Sequence, residues 1–301
     1  RLLRSVRREA AVVVARVKKR SGGFQLAGYA KKPLPPGAFS ASLMQPGVGD
    51  PPVVARAVTE GLRMAGAESA TRVSVAVPDT AVRVALVDLG ELPASYAQAD
   101  EVVRFRIRKS IPFPPEESRL SWDVIGRTPE GRVMVLVAVA PDRALRPIES
   151  LMNGMGLRCG LIDLATFDVF NALRLDGGLD GAAEMRDVAL LNATDAYFSM
   201  MILRGGELIF YRSKSYHVQG GFQGEESLRV VGRELRSTLG YYEEHLGGEG
   251  ITRIIMRVAG IAPDGLMDVV RNTEITDIRI ATLEKIVPEI QHVPPELAVE
   301  L

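Results

Sequence analysis

Few residues of this chain have the types and spacing that a catalytic or metal site requires. His217, His245 and His292 lie far apart in the sequence and lack the short spacing of zinc ligands. Asp163 and Asp168 form a conceivable carboxylate pair, but the first ends a predicted strand and the second lies on the following helix. No Gly-x-Ser-x-Gly turn or Gly-x4-Gly-Lys-Ser/Thr loop is present. The sequence therefore predicts no independent catalytic site and no metal site.

One of the segments in which positive charge is concentrated contains Arg104, Arg106, Arg108 and Lys109. Nucleic-acid binding is a poor explanation, because the whole chain has 37 basic and 37 acidic residues and Phe105 is the one aromatic residue among these cations. The pattern instead favours a helix beside a peptide groove, with arginines available to carboxylates at its rim.

The composition is typical of a globular protein with two lobes. The chain has 301 residues, of which 47% are apolar and 25% are charged. The lone Cys159 lies in an apolar stretch, and we interpret it as a buried structural thiol in a reducing compartment. The longest strongly apolar run, residues 133–140, is far shorter than a membrane span of about 20 residues. No signal peptide is visible, and the absence of an initial Met suggests that an N-terminal segment is missing.

The first twenty residues are strongly basic, with eight cations against Glu9 alone. We interpret this as a solvated edge, and the functional alternative is attraction to an anionic inner-membrane surface.

Apolar periodicity predicts alternating strands and helices along the chain. Strands are expected at residues 10–17, 24–30, 72–77, 82–86, 119–125, 132–140, 157–163, 188–192, 197–203, 207–211 and 253–258. Helices are expected at residues 53–65, 95–109, 142–155, 165–173, 225–245 and 264–270. In the second helix, Ser95 is the predicted N-cap, and Ala99, Val102, Val103 and Ile107 are predicted to face a core.

Short motifs occur in a characteristic order. They are residues 22–30, residues 33–37, Ile111-Pro112-Phe113, residues 154–157, Ile162-Asp163, residues 234–237 and Tyr241-Tyr242. In this order they resemble PilM-type actin-like proteins of bacterial type IV pilus machines, over roughly residues 10–285. The resemblance implies an α/β fold of the two-lobed actin-like ATPase type, with a small inserted α+β subdomain in the first lobe. The first-lobe body is expected at residues 1–78 and is completed by residues 157–178. The insertion is expected at residues 79–156, and the second lobe at residues 179–301.

The nucleotide motifs of active relatives are degraded in this sequence. Residues 6–10 have neither the Asp nor the Gly of the first phosphate turn, and residues 192–195 have Asn and Thr in place of the Asp and Gly of the second. The adenosine loop, residues 258–266, keeps two glycines. We therefore predict no tight ATP site. The resemblance assigns the degenerate cleft to Arg8, Asn192, Thr194, Asp195, Gly260 and Gly265.

The resemblance also implies a partner. Relatives bind a cytoplasmic N-terminal segment of the membrane protein PilN in a groove between the first-lobe body and its insertion. Here that groove is expected to involve Val84, Leu86, Leu89, Leu92, Arg104, Arg108, Ile111 and Phe113. Such a chain would be a non-catalytic cytoplasmic scaffold of a pilus assembly complex, held near the inner membrane by its partners.

Two alternatives remain open at this point. One is an actin-like ATPase whose motifs have diverged but which still binds Mg-ATP weakly or hydrolyses it. The other is the cytoplasmic domain of a type II secretion membrane protein, which predicts a transmembrane helix beyond Leu301.

Overall fold

A computed structural model describes residues 10–45, 47–128, 130–179, 187–216, 224–298 and 301. Its strands are β1 (Ala11–Arg20), β2 (Gly23–Pro33), β3 (Arg72–Val77), β4 (Arg83–Gly90), β5 (Ser118–Arg127), β6 (Val133–Pro141), β7 (Arg158–Leu164), β8 (Asp187–Ala193), β9 (Tyr197–Arg204), β10 (Glu207–Ser215), β11 (Ile251–Val258) and β12 (Asp277–Ile280). Its α-helices are α1 (Pro51–Met64), α2 (Tyr96–Ile107), α3 (Asp142–Gly154), α4 (Ala165–Asp176), α5 (Glu225–His245), α6 (Pro263–Arg271) and α7 (Pro295–Ala298). Short 3₁₀ helices cover Asp79–Ala81, Arg108–Ser110, Pro115–Glu117 and Pro288–His292.

The first-lobe body consists of the antiparallel hairpin β1–β2, the parallel pair β3–β7, and helices α1 and α3. Helix α1 begins where Asp50 Oδ1 accepts a hydrogen bond from the Val53 amide at 3.2 Å. Prolines at its first two positions need no amide partner there. Its apolar stripe, which includes Val54 and Val58, packs into one core with Ile148 of α3. Helix α3 therefore has its packing partners in the body.

The insertion is a three-stranded antiparallel sheet in the order β4-β6-β5, with α2 on one face. Side chains of β6 alternate between the two faces, as strand geometry requires. Val135 and Val137 are fully buried beneath Val103 and Ile107 of α2, whereas Leu136 packs toward the first-lobe body. The sheet thus contributes to two cores at once.

Two details of α2 differ from the sequence prediction. Val102 was expected in the core but is 37% exposed, because the buried stripe consists of Ala99, Val103 and Ile107. Ser95 occupies the N-cap position, but its side chain makes no capping hydrogen bond.

The second lobe contains a five-stranded mixed sheet in the order β10-β9-β8-β11-β12. Its two faces are both covered, so β8 and β9 are apolar along nearly their whole length. Leu191 and Met256 pack with α5 and α6, and Leu190 and Ile255 pack with α4.

The C-terminal segment returns to the first lobe, an arrangement that the sequence did not predict. After β12 the chain passes the end of α4, where Asp176 Oδ1 accepts from the Ile286 amide at 2.9 Å. The Phe24 amide of β2 then donates to the Ile286 carbonyl at 2.8 Å, and Arg20 pairs with Glu289 at 3.1 Å. We call residues 281–293 the C-terminal strap.

Candidate functional site

Buried polar side chains join the two lobes. Asp79 opens a 3₁₀ helix of the first lobe, Thr166 lies in the first turn of α4, and Asn192 is on β8; none of the three is exposed. The Thr166 amide donates to Asp79 Oδ1 at 3.1 Å, and its hydroxyl donates to Asp79 Oδ2. Asn192 Nδ2 donates to Thr166 Oγ1 at 2.7 Å. These residues form what we call the interlobe network.

The network continues on the second lobe. Arg257 of β11 donates from Nη1 to Asn192 Oδ1 at 2.9 Å. Ser199 of β9 and Tyr211 of β10 lie beside the Asp79 carboxyl group. Within the described residues, both hydroxyl oxygens are buried without a hydrogen bond of ordinary geometry. The space between the lobes at this point is therefore filled by side chains.

Burial dominates the electrostatics of this region. It raises the pKa of Asp79, against the opposing effect of the hydrogen bonds from the hydroxyl and amide of Thr166. Burial, together with the charges of Asp163 and Asp79, raises the pKa of Asp168 to about 6. Burial raises the pKa of Tyr211 as well, and the Asp79 carboxylate adds to this effect. A cleft with these properties disfavours additional negative charge.

The predicted nucleotide residues of the second lobe are brought together only in part. Thr194 closes a turn, since its amide bonds the Tyr197 carbonyl at 2.8 Å and its hydroxyl accepts from the Tyr197 amide at 3.1 Å. Gly260 has a φ of 74°, and a Cβ built on it would lie 3.4 Å from Asp195 Cγ. The turn after β8 and the loop after β11 are therefore neighbours.

Gly265 lies elsewhere and has a packing role. A Cβ at this position would lie 2.7 Å from Leu228 Cδ1, so the glycine allows α6 to approach α5 closely. Arg8, the remaining predicted residue of the cleft, lies outside the described residues.

The eight residues predicted to line a partner groove do not form one continuous surface. Val84 is buried against the first-lobe body, and Leu86 shares its strand face but is half-buried. The other four apolar residues instead pack beneath α2. Leu89, Ile111 and Phe113 are buried there, and Leu92 is partly buried. Alternation along β4 separates the two groups. Arg104 is paired with Asp100 at 2.7 Å, and Arg108 is exposed.

An open cleft does lie where the insertion meets the first-lobe body. Its volume is about 650 Å³, and its lining includes Glu116, Glu117, Pro141, Asp142, Arg143 and Arg146. Burial alone would raise the pKa of Asp142, but hydrogen bonds from Arg119 and Arg146 hold it below its usual range. Arg143 also donates to the Leu43 carbonyl at 3.1 Å, which ties the cleft to the loop before α1. We call this the junction cleft.

Sequence reasoning missed the first-lobe half of the interlobe network. Asp79 lies between the predicted strands at residues 72–77 and 82–86, and nothing in the sequence distinguished Asp79 or Thr166. Tyr242, by contrast, belongs to a quoted motif, and its hydroxyl donates to the buried Asp187 at 2.6 Å.

Other candidate residues have ordinary surroundings. His245 is exposed and stacks on Tyr241, His292 is exposed, and His217 lies outside the described residues. Cys159 is half-buried rather than buried, and burial raises the pKa of its thiol. In the described part of the chain, no group of three or more His, Cys, Asp or Glu side chains is placed to hold a metal ion. No helix there is both long and apolar enough to cross a bilayer.

The family model for the type IV pilus assembly protein PilM matches residues 8–230 of the chain. No curated protein sequence matches it.

Solved structures resemble the chain over nearly its whole length. One is described as the PilM-PilN type IV pilus biogenesis complex; it is 21% identical, covers 96% of this chain and 93% of that chain, and has a TM-score of 0.76. A Bacteroides thetaiotaomicron protein with an actin-like ATPase fold is 9% identical, with 94% and 96% coverage and a TM-score of 0.47. The cytoplasmic domain of EpsL, an inner-membrane component of the Vibrio cholerae type II secretion system, is 8% identical, with 90% and 93% coverage and a TM-score of 0.48. The likeness to the first of these structures shows that the chain has the expected two-lobed actin-like α/β fold.

Proposed function

Because the chain belongs to the PilM family of type IV pilus assembly proteins, we propose that it is a non-catalytic scaffold that binds the cytoplasmic N-terminal segment of a PilN-like membrane protein. In this role it would work at the inner membrane, held there through its partners. Other pilus assembly proteins would bind to the same platform.

The observation that carries this proposal is a fold match across the whole chain. The solved structure with a TM-score of 0.76 is a PilM-PilN complex, and the likeness covers 96% of this chain, including the insertion. A scaffold needs this entire shape, whereas an enzyme needs particular side chains in its cleft.

We place the partner segment in the junction cleft. This cleft is open, lies between insertion and body, and is lined by both carboxylates and guanidinium groups. Glu116 and Glu117 are exposed and continue directly from the Ile111-Pro112-Phe113 end of the α2 region. In this proposal an extended peptide segment lies along the charged residues of the junction cleft and continues toward Arg108.

The non-catalytic part of the proposal is supported by the contents of the interlobe cleft. Where phosphates would have to enter, side chains already form a chain of hydrogen bonds that runs through Asp79, Thr166, Asn192 and Arg257. A triphosphate would bring several negative charges toward a carboxyl group whose pKa burial already raises. Thr194 cannot replace glycine in a phosphate turn without strain, and no described residue other than glycine has a positive φ.

Peptide titration tests the scaffold proposal. We expect isothermal titration with a PilN-type N-terminal peptide to show binding to the purified chain. The pairs Glu116→Gln with Glu117→Gln, and Arg104→Glu with Arg108→Glu, should each weaken it, because they alter opposite ends of the proposed path. Arg229→Gln is a suitable control, because Arg229 is exposed on α5 and pairs only weakly across one helical turn with Glu225.

The two pairs of variants separate the parts of the proposal. Loss of binding only in the arginine pair would show that the peptide does not lie in the junction cleft. Loss of binding only in the glutamate pair would show that Arg104 and Arg108 do not contact the peptide. Unchanged affinity in both, or no binding by the original chain, would defeat the docking proposal.

A thermal-shift measurement with Mg-ATP tests the competing ATPase function. A ligand at 100 times its dissociation constant stabilises a protein by about 2.7 kcal/mol. We expect no rise in the melting temperature at millimolar Mg-ATP. A rise of several degrees that disappears in Asn192→Leu would establish nucleotide binding in the interlobe cleft and contradict the non-catalytic assignment.

A further inference from the structure

We propose that one face of α2 rests directly on an anionic lipid surface. The face consists of Val102, of Phe105 and Arg106, which lie three and four residues after it on one side of the helix, and of Lys109, which follows Arg106 by three residues in the 3₁₀ turn that continues α2. We call it the Phe105 face. The buried stripe of α2 consists of other residues.

The apolar part of this face is strongly exposed. Phe105 is 78% exposed, the largest value among the exposed large apolar side chains of the described chain, and Val102 is 37% exposed. The insertion beneath α2 has a filled core, so neither side chain is needed for its packing. An aromatic ring thus projects into solvent from the exposed side of α2.

The cations around the ring are available to a ligand. Lys109 is exposed and has no hydrogen bond or ion pair within the described residues. Arg106 is exposed, and its contact with the Asp88 carbonyl is long, at 3.4 Å. Arg104, in contrast, is paired with Asp100 on the side of α2 toward Trp122. The free positive charge therefore lies beside Phe105.

The shape and size of the face favour lipid over protein. A stable protein interface buries about 800 Å² on each partner. Two apolar side chains on a convex helix offer much less than this, and the junction cleft is lined by other residues. One inserted aromatic ring surrounded by cations has the composition of an interfacial membrane anchor.

Such an anchor is weak alone and becomes effective beside a second attachment. It would orient the molecule on the bilayer whatever partner it carries, so the inference does not rest on the proposed function.

Vesicle co-sedimentation tests this assignment. The purified chain should bind vesicles of phosphatidylglycerol and phosphatidylethanolamine more strongly than phosphatidylcholine vesicles, and added salt should weaken the binding. Phe105→Ser should lower the partition coefficient roughly tenfold, since it removes the inserted ring. Arg106→Gln with Lys109→Gln should lower it roughly fivefold per cation. Phe105→Trp should retain binding, because Trp also inserts at the interface.

Matched changes elsewhere serve as controls. Leu175→Ser removes an apolar side chain that is 64% exposed on α4, and Lys18→Gln with Lys19→Gln removes two exposed cations of the hairpin. Both control variants should bind as the original chain does, and all variants should keep its melting temperature.

Three results would overturn the inference. They are failure of the original chain to bind anionic vesicles, undiminished binding by Phe105→Ser, and an equal loss in the hairpin variant. Binding to polyglutamate but not to vesicles would assign the face to an acidic protein instead.

Discussion

Asn192, which stands where the second phosphate turn of active relatives has Asp, suits a buried contact between the lobes. Its amide donates to Thr166 while its carbonyl oxygen accepts from Arg257, so both ends of the side chain are used. An Asp at this position would offer no donor to Thr166 and would place a second carboxylate near Asp79. Like charges this close in a buried site raise each other's pKa. The Asn therefore supplies both a donor and an acceptor to the interlobe network.

The titration of Asp168 gives a prediction at the residue scale. Its pKa rises from 3.8 to about 6 in the folded protein, so folding favours the protonated form. The stability from this shift is present below about pH 4 and is lost as the pH rises through about 6. Asp168→Asn should therefore stabilise the protein by about 1 kcal/mol at pH 8, after allowance for solvent screening.

Thermal unfolding of both proteins across this range is the measurement. The difference in melting temperature should shrink toward zero as the pH approaches 4. A constant difference at all pH values would mean that Asp168 titrates normally.

What the sequence could predict at this scale depended on motifs. Asn192 and Thr194 were identified because a family pattern marks their positions. Asp79, Thr166 and Arg257 were not, because their roles arise from contacts between residues far apart in the chain. The predicted groove residues are divided between two cores for a related reason, since strand alternation sends Val84 and Leu89 to opposite faces of one sheet.

At the scale of elements, the β1–β2 hairpin packs tightly on the end of α1. A Cβ on Gly28 of β2 would overlap the Ala65 carbonyl oxygen, and Arg16 of β1 donates to the Gly66 carbonyl. Gly61 of α1 faces Val14 of β1 at a distance that leaves no room for a side chain. Small residues on both partners therefore set the separation of hairpin and helix.

This contact predicts the effect of adding one methyl group. Gly28→Ala should destabilise the protein by about 2 kcal/mol or more, since the obstacle is backbone and cannot rotate away. Gly240→Ala is the matched control, because its Cβ would meet no atom within 4 Å on α5. The control should stabilise the protein by about 0.5 to 1 kcal/mol through helix propensity. Urea denaturation measures both, and equal stability of the two variants would contradict the packing argument.

Most elements were predictable because their apolar residues recur with strand or helix periodicity. The exceptions include β12 and α7, which have four residues each, and the strap, whose 3₁₀ helix begins with Pro288. Segments this short bury too few side chains to display a period. Their positions depend on single contacts such as Asp176 with Ile286.

At the scale of the whole molecule, the insertion is coupled to both lobes. Leu136 and Ala138 of its sheet pack into the first-lobe core, and Tyr211 of the second lobe packs against that core as well. Trp122, the single tryptophan of the chain, packs against the core of the insertion and stacks on Tyr96. Its fluorescence therefore reports on the insertion.

We expect the insertion to unfold together with the rest of the chain. Urea transitions followed by Trp122 fluorescence and by far-ultraviolet circular dichroism should coincide, because the shared core makes separate unfolding costly. Asp176→Ala should lower both midpoints equally by releasing the strap. A fluorescence transition at lower urea than the circular dichroism transition would show that the insertion unfolds alone.

The position of β11 between β8 and β12 has a practical consequence for fragments of this gene. The region recognisable as PilM ends at residue 230, before β11 begins. A product trimmed there would expose β8, an apolar strand with no charged residue after Asp187, as an unpaired sheet edge. Such an edge templates intermolecular pairing. We expect expression of the trimmed piece to yield inclusion bodies, because the sheet needs strands that lie beyond the matched region.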